Sequence, residues 1–143
     1  MANLGRWVMT ARHRILLAED DEISQAIVQH ILAGLGNVDL VIVSDGREAL
    51  LACMAGKFDL LIIDRKMPLI SGDKLIRQLR TSGNLNSKTP VILFSASTAS
   101  ELKDMGVSCP ADLLLSKPIN VEEFLFSVKA LIGHAVPPDN SPI

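Results

Sequence analysis

The chain is poor in aromatic side chains and in cysteine. It has no tyrosine, one tryptophan, four phenylalanines and two cysteines in 143 residues. Neither Cys53 nor Cys109 has a Cys or His at metal-ligand spacing, which argues against a zinc or redox motif and favours free thiols in a reducing cytoplasm. The scarcity of aromatic rings also argues against a flavin carrier, which needs rings to sandwich its cofactor.

The chain also lacks a large net charge and a long apolar segment. The formal net charge is −2, so no basic excess exists to bind nucleic acid directly or to hold an anionic membrane. No apolar run approaches transmembrane length, and residues 1–13 lack the continuous apolar segment of a signal peptide. With 48% hydrophobic and 21% charged residues, the chain fits one globular domain.

Short apolar runs alternate with segments of helical period along most of the chain. This alternation predicts five βα units, and therefore an α/β fold with a parallel sheet covered by helices on both faces. We expect one domain over residues 14–133, a leader or linker over 1–13, and a proline-containing tail or linker over 134–143. The strands are predicted at residues 15–18, 40–43, 60–63, 91–94 and 113–115.

The intervening segments carry helix start signals and one apolar face each. Asp45, Ser71, Thr98 and Asn120 are the predicted N-caps, with Glu48, Glu101 and Glu123 as reciprocal partners. The predicted buried positions are Ile23, Ile27 and Ile31 in the first helix, Ala49, Leu50 and Cys53 in the second, Leu75, Ile76 and Leu79 in the third, and Val121, Leu125, Val128 and Ile132 in the last.

Acidic, hydroxyl and amine side chains directly follow four of the predicted strands. Glu19 and Asp20 follow the first, Asp64 the third, Ser95 the fourth and Lys117 the fifth. In an open parallel sheet, ligands bind outside the carboxyl ends of the strands, where the winding reverses. We therefore expect these side chains to meet at one edge of the sheet.

These residue types suit magnesium-dependent phosphoryl transfer. Asp20, Asp64 and a backbone carbonyl from the loop after Asp64 are hard oxygen ligands for Mg²⁺, and Glu19 is placed to hold a bound water. The ion offsets the repulsion between a carboxylate nucleophile and an incoming phosphoryl group. Lys117 supplies positive charge and Ser95 a hydroxyl donor for the phosphoryl oxygens.

Each of these residues also has an ordinary structural interpretation. The run at residues 19–22 is typical of an acidic first helical turn, where the helix dipole favours carboxylates. Ser95 is a common strand-end hydroxyl, and a single lysine such as Lys117 is usually solvated. Their occurrence at the same end of successive strands favours a shared site.

The pattern resembles the receiver domain of two-component response regulators over residues 14–133. The resemblance rests on the acidic pair after residues 15–18, the acceptor segment at residues 59–68 followed by Gly72, the hydroxyl segment at 90–96, and the pair Lys117-Pro118. It implies a CheY-like sheet of order 2-1-3-4-5 with five helices. It also implies that the fourth helix, fifth strand and fifth helix form the face that engages a downstream effector.

The resemblance assigns a role to each site residue. Asp64 becomes the aspartate that accepts a phosphoryl group from a histidine kinase or histidine phosphotransfer protein. Asp20, Asp64 and the carbonyl of Lys66 bind Mg²⁺ directly, Glu19 acts through water, and Ser95 and Lys117 hold the phosphoryl oxygens. The Lys117–Pro118 bond is expected to be cis. Such a domain catalyses only its own phosphorylation and dephosphorylation and is otherwise not an enzyme.

One position departs from the family pattern. Members commonly carry Tyr or Phe three residues before the lysine, whereas this chain has Leu114. A degenerate receiver that binds partners without phosphorylation is therefore an alternative, as is a receiver excised from a hybrid histidine kinase. A dehalogenase-like hydrolase is a third alternative, although it usually places a second acid where this chain has Lys66.

Overall fold

The computed structural model describes residues 12–108 and 110–133. The predicted tail at 134–143, Cys109, and all but the last two residues of the predicted leader lie outside the described residues. Among the described helices none is both long and apolar enough to cross a membrane. The elements are β1 (His13–Ala18), α1 (Glu22–Ala33), β2 (Val38–Val43), α2 (Gly46–Ala55), β3 (Leu60–Asp64), α3 (Gly72–Thr81), β4 (Val91–Ser95), α4 (Ala99–Asp104), β5 (Leu113–Ser116) and α5 (Val121–Gly133).

The five strands form one parallel sheet in the order β2-β1-β3-β4-β5, which confirms the expected fold class and strand order. After β2 the chain crosses back over β1 to continue on its other side, so the winding reverses between β1 and β3. Their register pairs Ala18 with Ile63. The residues that follow these two partners, Glu19 and Asp64, therefore leave the sheet side by side at the switch point, where ligands bind in such folds.

Alternate strand residues face two separate cores, as the two-residue period of a strand requires. Ile15 and Leu17 pack in the core shared with α1 and α5. Leu16 and Ala18 pack in the core shared with α2 and α3, which also contains Cys53. Burial raises the pKa of the Cys53 thiol to about 12, so it stays protonated and behaves as a small apolar side chain.

The predicted buried face of α1 is wrong at two of its three positions, while Ile31 packs against the core as predicted. Ile23 and Ile27 are 72% and 44% exposed, and the buried residues are Val28 and Leu32. Two rows of apolar residues with the same spacing run along this helix. They are offset by one residue, which corresponds to a rotation of about 100° around the helix axis. Val28 and Leu32 face the sheet because they pack in the core that also contains Ile15.

The face of α5 is partly wrong for a related reason. Val128 and Ile132 are buried as predicted, but Val121 is 49% exposed and Phe124 is fully buried. The Phe124 ring packs against Phe94 of β4 with 5.5 Å between centroids. A large ring gains more from burial than a valine in the first turn, so the helix turns Phe124 inward.

Most predicted caps are present. Asp45 accepts from the Glu48 amide, and Thr98 with Glu101 forms a complete capping box. Asn120 accepts from the Glu123 amide in the same way. Ser71 precedes α3 but its side chain makes no capping hydrogen bond.

Candidate functional site

The four acidic residues after β1 have two different structural roles. Glu19 is buried, and its backbone amide donates to the carbonyl of Val43 at 3.0 Å. Its carboxylate accepts from the amide of Asp21 at 3.1 Å, while Asp20 projects to the surface. Asp21 caps α1 and Glu22 lies in its first turn. The helix-terminus interpretation therefore holds for the second half of the run, and the first half faces the edge of the sheet.

Asp64 brings the third carboxylate to this edge. It is the last residue of β3 and is buried. One carboxylate oxygen from each of Glu19, Asp20 and Asp64 lies within 4.8 Å of the others. Hard oxygen ligands at this spacing fit Mg²⁺, which binds proteins through few carboxylates and keeps several waters.

Lys117 contacts two of these acids directly. Its Nζ lies 3.0 Å from Glu19 Oε1 and 3.1 Å from Asp64 Oδ2, and its side chain is 28% exposed. The backbone helps to place it, since the Lys117 amide donates to the carbonyl of Ser95 at 2.9 Å. The Lys117–Pro118 peptide bond is cis, as the resemblance implied.

The pKa values of this pair reflect burial beside opposite charge. Burial raises the pKa of Glu19, partly offset by hydrogen bonds from the Asp21 amide and Lys117. Burial alone would lower the pKa of Lys117, but its contacts with Glu19 and Asp64 outweigh this and raise it. Because folded Glu19 holds its proton more tightly, its contribution to stability is largest below its unfolded-state pKa and is lost as pH rises through the folded one.

Ser95 lies on the neighbouring strand, one residue beyond the level of Asp64. The register pairs Asp64 with Phe94 and Ser95 with Ser116. Ser95 is buried, and its hydroxyl accepts from the amide of Ser97 at 3.0 Å. Glu19, Asp20, Asp64 and Lys117 thus meet directly, and the strand register places Ser95 beside them.

The loop after β3 forms one wall of a cleft of about 390 Å³. Lys66 is exposed on this wall, next to the acidic cluster. Gly72 closes the loop, and a Cβ at this position would overlap the carbonyl oxygen of Asp64, so only glycine fits. The residues lining the cleft are Asp20, Arg65, Lys66, Met67, Pro68 and Ser71.

Gln25 supports the site and was missed by the sequence reasoning. Its side-chain amide donates to the carbonyl of Glu19 at 2.6 Å and to the hydroxyl of Ser44 at 3.3 Å. It therefore links the first turn of α1 to the ends of β1 and β2. No sequence signal marks such a contact, because it depends on the rotation of α1 about its axis.

Leu114 lines a small apolar cavity of about 220 Å³ between α4 and β5. The leucine is partly buried in β5, and the wall opposite it comes from α4 and the segment that follows. A leucine leaves unfilled the space that a larger ring would occupy. The other lining residues are Ala99, Leu102, Val107 and Ala111.

We expect Leu114→Phe to fill part of this cavity and to raise the free energy of unfolding by about 1 kcal/mol. Leu114→Ala, which enlarges the cavity, should lower it by about 2–4 kcal/mol. Urea unfolding of both variants measures the two effects. A Leu114→Phe variant less stable than the unaltered chain would show that the cavity cannot accept a ring.

The comparisons with known proteins point to one family. The model of the response regulator receiver domain matches residues 15–129. The response regulator MprA of Mycolicibacterium vanbaalenii is 31% identical over 129 residues, which cover 90% of this chain and 54% of that protein. The probable transcriptional regulator ycf29 of Porphyra purpurea is 35% identical, covering 84% and 56%. The chain thus spans about half the length of the curated relatives it matches.

Solved structures agree on the fold. The receiver domain of a histidine kinase from Syntrophus aciditrophicus superposes with a TM-score of 0.77 at 27% identity, over 92% of this chain and 98% of that one. The chemotaxis regulator CheY4 of Vibrio cholerae gives 0.74 at 26%, over 85% and 99%. The receiver domain of the Pseudomonas aeruginosa kinase PA1611, which holds a magnesium ion in its active site cleft, gives 0.75 at 24%, over 86% and 99%.

Proposed function

The chain belongs to the response regulator receiver domain family, and from that premise we propose that Asp64 accepts a phosphoryl group from a phosphohistidine partner. The observation that carries this proposal is the contact of Lys117 with both Glu19 and Asp64, within the cluster that also includes Asp20. The proposed acceptor, the carboxylates of the proposed metal site and a cation therefore lie next to one another. A receiver that had lost its chemistry would have no need to keep them together.

The proposed reaction exchanges one bond to phosphorus for another. A carboxylate oxygen of Asp64 attacks phosphorus, the bond from phosphorus to the histidine nitrogen breaks, and the imidazole leaves with the electron pair and takes up a proton. Mg²⁺ bound beside the acceptor would neutralise carboxylate charge and bind phosphoryl oxygens. Asp20, Asp64 and the Lys66 carbonyl are the proposed direct ligands, with Glu19 acting through water.

Lys117 and Ser95 complete the proposed site. The Lys117 ammonium already lies 3.1 Å from Asp64, so it is placed to hold an oxygen of a phosphoryl group on that carboxylate. Ser95 would turn its hydroxyl to donate to another oxygen, while its Oγ is the acceptor of the Ser97 amide. Movement of the Ser95 side chain would therefore pull the loop between β4 and α4 with it, and this is our proposed origin of the surface change.

Receiver domains are signalling modules, and response regulators work with histidine kinases and downstream effectors. We propose that the donor here is a histidine kinase or phosphotransfer protein of the cytoplasm. The proposed effector surface is the face formed by α4, β5 and α5. The effector would be a further domain of the same protein or a separate protein. The curated relatives are about twice as long as this chain, and a receiver that forms part of a hybrid histidine kinase is an alternative arrangement.

Beryllofluoride, an analogue of the phosphoryl group, separates this proposal from a degenerate receiver. We expect it to bind only when Mg²⁺ is present and to shift the NMR amide signals of Asp64, Ser95 and Lys117. The signals of His13 and Val38, at the opposite end of the sheet, serve as an internal control. Unchanged spectra at saturating Mg²⁺ and beryllofluoride would favour a phosphorylation-independent binding module.

The role proposed for Lys66 belongs to its backbone, and its exposed side chain is dispensable for metal binding. We therefore expect Lys66→Ala to keep Mg²⁺ affinity within about twofold, because a surface charge at this position is largely screened. Calorimetric titration with Mg²⁺ measures this. Asp20→Asn is the matched comparison and should weaken binding by about tenfold or more. A tenfold loss in Lys66→Ala would instead assign the side chain a direct role.

A further inference from the structure

A buried ion pair lies directly beside the acceptor. Arg65 Nε is 3.5 Å from Asp73 Oδ1, with side-chain exposures of 15% and 6%. Both atoms are shielded from solvent, and within the described part of the chain neither has a hydrogen-bond partner. The two atoms are therefore stabilised by their opposite charges, and among the described residues loss of Asp73 would leave the Arg65 guanidinium without its ion-pair partner.

A second cation, Arg77, contacts Asp73 from the solvent-exposed side and is a weaker partner than Arg65. Arg77 Nη1 lies 3.6 Å from Asp73 Oδ2, one turn along α3, and also donates to the carbonyl of Ser108 at 2.8 Å. Its side chain is 41% exposed, so water screens its charge. Among the described residues, the ion pair at Asp73 Oδ1 is the one with Arg65.

The backbone of Arg65 is anchored on both sides. Its amide donates to the carbonyl of Phe94 in β4 at 2.8 Å, and its carbonyl accepts from the amide of Gly72 at 2.7 Å. Asp73 is the next residue after Gly72. The Gly72 hydrogen bond and the Arg65–Asp73 pair are thus two parallel ties across the base of the loop formed by residues 66–71.

This loop is the one that carries the proposed carbonyl ligand. Lys66 is its first residue, and the Pro68 carbonyl accepts from the amide of Gly46 at the start of α2. A loop closed at its base has fewer accessible conformations, so its carbonyl groups are held nearer the orientation that a metal requires. Residues that orient ligands in this way tune metal affinity without touching the ion.

We infer that Arg65 and Asp73 are positioning residues that fix the loop at residues 66–71 and thereby set the affinity of the site for Mg²⁺. The inference rests on the proposed function, because it assigns the Lys66 carbonyl to the metal. It extends that function to residues that touch neither the phosphoryl group nor the ion. A purely structural pair would affect unfolding and leave metal affinity unchanged.

Asp73→Asn tests the inference in the intact chain. It removes the charge at nearly constant shape, and we expect Mg²⁺ to bind about tenfold more weakly by calorimetric titration. In the metal-free protein, amide hydrogen exchange should accelerate at Gly72 and Gly46, which report the base and the far side of the loop. Asp112→Asn is the matched control. It removes the ion pair between Asp112 and Arg80, and Arg80 lies in the last turn of α3, away from the loop. It should change neither quantity.

Two further variants test the same inference if Asp73→Asn is poorly folded. Arg65→Lys keeps the cation but loses the guanidinium geometry, and should show the same two changes at smaller size. The double variant Arg65→Leu with Asp73→Leu replaces the pair by an apolar contact and should restore Mg²⁺ affinity to within about threefold. Restoration by a chargeless pair would show that closure of the loop, rather than charge near the ion, sets the affinity.

Unchanged Mg²⁺ affinity in folded Asp73→Asn and Arg65→Lys would overturn the inference. The proposed function would still stand, because the unaltered chain would bind the ion as expected. An unaltered chain with no measurable Mg²⁺ affinity would overturn both.

Discussion

Asp64→Asn is expected to abolish phosphorylation of this chain by any phosphohistidine donor. An amide oxygen is a poor nucleophile and a neutral ligand, so the change removes the acceptor and weakens the metal site together. The fold should persist, because asparagine has nearly the same shape at the end of β3. Labelling from a phosphorylated kinase, followed by intact mass, measures the loss.

Asp104→Asn is the matched control for this experiment. Asp104 is an exposed acid at the end of α4, so its replacement removes the same charge away from the site. It should leave labelling complete. Residual hydroxylamine-labile phosphate on folded Asp64→Asn would mean that another carboxylate is the acceptor and that the proposed role of Asp64 is wrong.

Lys117→Met is expected to slow phosphorylation by about 100-fold or more, because it removes the cation aimed at the transferred group. Mg²⁺ should bind more tightly, since the carboxylates of Glu19 and Asp64 lose the ammonium group that now competes for them. A lower phosphorylation rate together with a higher Mg²⁺ affinity would distinguish loss of this contact from general damage to the site, which would lower both. Stopped-flow labelling and calorimetric titration measure the two quantities.

The same substitution should destabilise the metal-free protein by about 3 kcal/mol at neutral pH, because two buried carboxylates lose their counter-charge. The loss should shrink on acidification. The pKa of Glu19 is already raised, and without Lys117 it rises further, so Glu19 becomes protonated and the repulsion disappears. Lys129→Met, at an exposed position of α5, is the control. A faster rate, or a destabilisation that does not depend on pH, would contradict this account of the Lys117 contacts.

The sequence predicted that these side chains lie together, because the position of a residue that follows a strand depends on little besides the sheet. Once residues 60–63 are assigned to a buried parallel strand, Asp64 must leave the sheet at its carboxyl end. The same reasoning places Glu19, Ser95 and Lys117, and a one-residue error in a strand boundary does not move them to the other edge. The strand order came from the family resemblance, since five similar βα units permit several orders.

Helix faces proved harder to predict because two apolar stripes competed. The stripe of Ile23 and Ile27 has the same period as that of Val28 and Leu32, so the period alone does not indicate which stripe faces the sheet. In α5, burial of the large Phe124 ring stabilises the fold more than burial of Val121 would, so Phe124 faces the core. These outcomes depend on packing, which periodicity does not measure.

The Arg65–Asp73 pair was not recognised from sequence. An arginine beside the acceptor and an acid in the first turn of α3 are each ordinary on their own. Their meeting depends on the course of the loop at residues 66–71, which brings the start of α3 back over the end of β3. The apolar cavity beside Leu114 is a similar case, since its volume depends on how α4 sits over β5.

The central claim is that Asp64 accepts a phosphoryl group in a magnesium-dependent reaction, and peptide mapping after phosphotransfer tests it most directly. The intact chain would be incubated with a panel of phosphorylated histidine kinases, with Mg²⁺ or with EDTA, and the modified residue identified by mass spectrometry. The account predicts one phosphoryl group on Asp64 with Mg²⁺ and at least one kinase, and none with EDTA. Phosphorylation at another residue, or at Asp64 to the same extent in EDTA, would contradict it.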